Sequence, residues 1–99
     1  MDWKAVEAQH GTNDGTNGNY YSVMCRPIRK GKKPYVAECE DIIEALGMTF
    51  DEGNVLKSLW RMCAARLGNG KAGHSPLYDA QKVAHYGKRI QVVHEREAL

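Results

Sequence analysis

No apolar run in this chain approaches the ~18–20 residues that a bilayer-spanning helix needs. That absence excludes a helical membrane span, and Met1 onward lacks the apolar core of a signal peptide. Cysteine is scarce too. Cys25, Cys39 and Cys63 are odd in number and none falls in a close-spaced motif, so no disulfide framework is expected. Cysteines within apolar stretches act as small hydrophobes, and the chain reads as a cytoplasmic protein. His10, His74, His85 and His94 have no metal-ligand spacing with those cysteines, which argues against a zinc site. Neither glycine-rich stretch carries the GK[ST] ending of a Walker-type phosphate loop. No nucleophile–base pair is legible either.

What is present is charge in blocks. The formal net charge is only +2 over 99 residues, too small for a typical nucleic-acid-binding domain. Its distribution is uneven. Five of the eight residues from Arg26 to Lys33 are basic (Arg26, Arg29, Lys30, Lys32 and Lys33), and Pro34 to Leu56 holds six acids and no base. Separated blocks of opposite sign favour complementary docking, within the fold or between copies. The basic block is therefore a candidate partner-binding surface, and a homo-oligomer is expected for a helical chain of this length.

Local signals describe a mainly α protein. Asp2–His10 suits a short amphipathic helix with Trp3, Val6 and His10 on one side. Gly11–Asn19 is a flexible Gly/Asn-rich loop. Tyr20–Cys25 has strand character and Pro27 ends it. Pro34 is expected to open a helix lasting to about Leu46, with Gly47 at its C′ position. Asp51 is expected to cap a second helix of about Glu52 to Leu67, with Val55, Leu59, Met62 or Cys63, and Leu67 as its core stripe. After a loop at Gly68–Gly73, Ser75-Pro76 starts a third helix running to about Glu95. Its expected stripe is Leu77, Ala80, Ala84, Gly87 or Lys88, and Gln91, and Gly87 would admit a close neighbour. The expectation is a three-helix domain over 34–99, with an N-terminal appendage over 1–33 containing a short helix or strand.

Two side-chain groups suit anion or metal chemistry. Asn54, Lys57 and Arg61 fall at i, i+3 and i+7 on one helix face. Asn54 is in the first turn, where free N–H groups and the helix dipole favour anions. Lys supplies a point charge and Arg a planar fork, a usual pairing for phosphate. The competing reading pairs Lys57 and Arg61 with acids of the preceding helix. Glu38, Asp41 and Glu44 form a second stripe at i, i+3 and i+6, suited to Mg²⁺ shared with a substrate phosphate or to a solvated face. Sequence-specific DNA binding is not expected, because the helix after the Phe50–Asn54 turn has Val55, Leu56 and Leu59 where a reader helix needs polar residues.

The run Ala37-Glu-Cys-Glu-Asp-Ile-Ile-Glu-Ala-Leu-Gly47, with Phe50, Gly53-Asn54, Lys57, Trp60-Arg61 and then Asp79, Lys82 and Tyr86, resembles a known family. This is the small phage-encoded SaV-like domain of uncharacterised function, often labelled phage nucleotide kinase-like. The resemblance spans about residues 37–90. It implies a bacteriophage origin and a phosphorylated nucleotide as ligand, with Asn54, Lys57 and Arg61 in the recurring motif. It also implies a link to kinase-like phosphoryl transfer. The family's upstream Pro-x-His-Tyr element has no His-Tyr counterpart here, and its Arg-x-Gly-x-Lys loop is altered to Arg66-Leu-Gly-Asn-Gly-Lys71. The resemblance thus implies a nucleotide ligand more firmly than turnover. A phage protein of this size also suits counter-defence, as an anti-CRISPR agent or by sequestering a nucleotide signal.

Overall fold

A computed structural model describes residues 19–70, 73 and 75–99. The expected helix at Asp2–His10 and most of the loop at Gly11–Asn19 lie outside the described residues. The rest is mainly helical, with three helices preceded by a two-stranded hairpin. A 3₁₀ turn at Asn19–Tyr21 leads into β1 (Ser22–Cys25), which pairs antiparallel with β2 (Tyr35–Glu38). The register sets Ser22 against Glu38 and Cys25 against Tyr35, so the basic block lies on the connection beyond Tyr35.

This corrects the helix expected from Pro34. Tyr35 and Val36 are aromatic and β-branched, and the pairing partners Met24 and Cys25 make an extended conformation available to them. The helix begins only at Cys39 and is short: α1 (Cys39–Ala45). Gly47 ends it as expected, with φ +62°. Gly47 N–H donates to the Glu44 carbonyl and Met48 N–H to that of Ile43, both at 3.0 Å, forming a Schellman closure.

The cap of α2 (Phe50–Arg66) is Thr49 rather than Asp51. Glu52 N–H donates to Thr49 Oγ1 at 3.3 Å and Thr49 N–H to Glu52 Oε1 at 2.9 Å, a reciprocal capping box. Asp51 instead accepts from Arg89 Nε at 2.7 Å, tying this end of α2 to the last helix. That helix, α3 (Pro76–Glu97), starts as expected: Ser75 Oγ accepts from Tyr78 N–H at 3.1 Å, and Pro76 opens the first turn. No helix among the described residues is long and apolar enough to cross a membrane.

The α2–α3 pair is the main packing contact; the 3₁₀ turn and α1 both lie against α2. The buried set is unusual in kind. Tyr20, Cys39 and Ala64 are its apolar members, joined by Gly53, Ser58, Arg61 and Asp79. Of the stripe expected on α2, Leu59 is 42 % and Leu67 76 % exposed, while Val55 and Met62 are half-buried. The α3 stripe is also displaced. Asp79 is buried and Val83, Tyr86 and Ile90 half-buried, whereas Leu77, Ala80, Ala84, Lys88 and Gln91 are exposed. Among the described residues no atom lies within 4 Å of where a Gly87 Cβ would stand, so no helix approaches closely there. One ion pair accounts for both displacements: Arg61 and Asp79 turn toward each other and carry their helix faces inward.

Candidate functional site

Arg61 sits in the fourth turn of α2, and all three of its guanidinium nitrogens are engaged within the fold. Nε donates to Asp79 Oδ1 at 3.1 Å and Nη1 to Tyr21 Oη at 3.0 Å; Nη2 lies 3.4 Å from Ser58 Oγ and 3.1 Å from Asp79 Oδ1. The Arg61 and Asp79 side chains are 7 % and 3 % exposed. Burial alone would lower the Arg61 pKa, but Tyr21 and then Asp79 more than offset it, so the pKa rises and the charge is secured. Burial pushes the Tyr21 phenol up despite the opposing cation, so at neutral pH it remains a protonated acceptor.

Lys57 lies one turn before Arg61 on the same face. It is exposed, and its Nζ stands 5.8 Å from the centroid of the Tyr21 ring. Tyr20 packs against that ring, with ring centroids 4.6 Å apart. Cys39, 2 % exposed, lies near enough to feel both cations. Burial raises its pKa against the opposing charges of Lys57 and Arg61, which keeps the thiol protonated and a poor nucleophile. The charges are simple to sum: Arg61 is balanced by Asp79, and among the described residues Lys57 has no acidic partner. The site presents one unbalanced cation to solvent over an aromatic floor.

The structure therefore brings Lys57 and Arg61 together but gives them different surroundings. The anticipated pairing with acids of the preceding helix does not occur; Arg61 pairs forward, with the helix that follows. Asn54 Nδ2 donates to the Phe50 carbonyl at 2.8 Å, so its amide serves the first turn of α2. The acidic stripe is regrouped. Glu38 is the last residue of β2, so helical spacing does not relate it to Asp41 and Glu44. Carboxylate oxygens of Glu38, Glu40 and Asp41 instead lie within 4.8 Å of one another, and Glu44 is outside the group. Such a set could hold a cation, although exposed acids commonly gather without one. Arg26, Arg29, Lys30, Lys32 and Lys33 are all exposed on the β1–β2 connection.

Tyr21 and Asp79 complete the site and were not singled out for it by residue chemistry. Asp79 carried one signal, its place in the Asp79, Lys82, Tyr86 run. Tyr21 stands out beside the basic turn as an aromatic on which a base could stack, but nothing local ties it to Arg61, which it meets across forty residues of chain. Comparison with protein-family models, with curated proteins and with solved structures returned no match.

Proposed function

We propose that this chain is a small accessory protein that binds a phosphorylated nucleotide, with Lys57 making the phosphate contact. The observation that carries this reading is the exposed Lys57 ammonium over the Tyr21 ring, without an ion-pair partner among the described residues, on a floor fixed by Arg61 and Asp79. A compact ammonium on a flexible stem binds phosphate as a point charge, and a tyrosine face accepts a base by stacking. Arg61 supports the site by fixing Tyr21. Its donors are committed inward, so it does not act as a phosphate fork without opening the core.

Holding a ligand fits this arrangement better than converting it. Kinase-like phosphoryl transfer rests on several positioned charges around the transferred group, and one free cation near a protonated, buried thiol supplies few. The resemblance to phage SaV-like domains supports the nucleotide class, and binding without turnover suits a phage protein that sequesters a nucleotide signal of host defence. A thermal-shift screen with nucleoside mono- and triphosphates, with and without Mg²⁺, tests this. Stabilisation of the wild type that is lost in Lys57→Ala supports it. No shift with any nucleotide, or an equal shift in the variant, removes it.

A further inference from the structure

The two charge blocks sit at opposite ends of one strand, and the fold keeps them apart. The connection after β1 carries the five exposed cations from Arg26 to Lys33, with Ile28 fully exposed among them. The far end of β2 carries Glu38, next to Glu40 and Asp41. A strand rises about 3.3 Å per residue, so β2 alone separates the blocks by about 10 Å. That already exceeds the screening distance of about 8 Å at physiological salt. Among the described residues no ion pair involves Arg29, Lys30, Lys32 or Lys33, nor Glu38, Glu40, Asp41 or Glu44. Among the described residues, Arg29 and the three lysines of the basic block are not neutralised by these acids within one copy.

The strand between them is itself incomplete. A two-stranded ribbon of four residues each is marginal alone, and an open edge is a template for further pairing. Among the described residues β2 has β1 on one edge and no strand on the other. We infer that β2 is a self-pairing edge, along which a second copy docks antiparallel about a twofold axis at the middle of the strand, with Val36 or Ala37 facing its own counterpart. Beyond the strand ends, the basic connection of each copy then lies beside the Glu38, Glu40 and Asp41 group of the other. The twofold repeats each contact at the other end, as an isologous interface requires. Pairing through the β1 edge would instead set the basic connection beside the second copy's Ser22 and leave the acids one strand away. The β2 arrangement joins an open edge to opposite charges.

Native mass spectrometry of the full chain at low and high salt, with two block reversals, tests this dimer. Lys32→Glu/Lys33→Glu and Glu40→Lys/Asp41→Lys each place like charges across the twofold. Each alone should weaken self-association by on the order of tenfold or more. Mixed together they should form a heterodimer of about wild-type affinity, because every contact is then attractive again. Circular dichroism checks that each variant keeps its helices, and neither reversal touches Lys57. A monomeric wild type overturns the inference. So does association indifferent to both reversals, as contact through exposed Leu59 and Leu67 would give, or a mixture that fails to form the heterodimer.

Discussion

Arg61 and Asp79, eighteen residues apart on α2 and α3, form a buried ion pair with Nη2 and Oδ1 separated by 3.1 Å. Around it the protein is assembled with a polar seam where a helical pair would ordinarily place leucines. A buried pair is costly to break from one side, because the survivor is left desolvated and alone.

Asp79→Ala should therefore destabilise the fold by about 3–5 kcal/mol, the range for orphaning a buried charge. Replacing both partners with apolar residues, as Arg61→Met with Asp79→Leu, should cost much less than the sum of the single changes. Urea unfolding of the four proteins measures the coupling. Additive costs would mean that the pair is incidental.

The Tyr21 phenol accepts from Arg61 Nη1 at 3.0 Å, so Tyr21→Phe leaves a buried donor unmet. The expected cost is about 1–3 kcal/mol. The variant should also change the alkaline limb of the stability curve. Tyr21 has a raised pKa in the folded state, so its contribution is full below the ordinary value of 10.0 and lost as pH rises through the folded value. Unfolding midpoints measured upward from neutral pH should fall less steeply in Tyr21→Phe than in the wild type.

The acid limb has a different origin. Glu52 has a lowered pKa because the Thr49 backbone N–H, then the Thr49 side chain, bonds its carboxylate. Its contribution is present above the ordinary value of 4.5 and is lost as pH falls through the depressed folded value. Thr49→Ala deletes the side-chain bond and keeps the backbone one, so it should weaken that dependence and cost about 1 kcal/mol at neutral pH through loss of the cap. Asp51→Ala should leave the cap intact, which a comparison of the two variants by thermal unfolding checks.

Signals confined to a few neighbouring residues were legible in the sequence. Ser75-Pro76 starts α3 and Gly47 stops α1 because capping chemistry is local, and three helices followed from such signals. Tyr35–Glu38 was missed as a strand because its reason for being extended is Met24 and Cys25, across a turn. The inward face of α2 was misread for a similar reason. Periodicity assigns Leu59 and Leu67 to the core, and nothing within that helix says that Arg61 will be buried instead. Its partners arrive from Asp79 and from Tyr21, and only the folded chain brings them together. Lys57 and Arg61 were correctly placed on one face, but spacing cannot tell a cation that stays in solvent from one that is buried.

Lys57 contributes little to the fold. Its contact with the Tyr21 ring is at an exposed site, where such an interaction is worth about 0.5–1 kcal/mol. Lys57→Ala should accordingly remain folded, with an unfolding midpoint close to that of the wild type. A large loss of stability would place Lys57 in the core network rather than at a ligand.

The central claim rests on that residue as a phosphate contact. Calorimetric titration of nucleoside mono- and triphosphates into wild type, Lys57→Ala and Lys57→Arg tests it most directly. A charge-assisted hydrogen bond worth about 1.5–3 kcal/mol corresponds to a loss of about tenfold to a hundredfold in affinity for Lys57→Ala. Lys57→Arg, which keeps the charge, should recover much of it. Equal affinities in all three proteins, or no measurable heat with any nucleotide, would contradict the account.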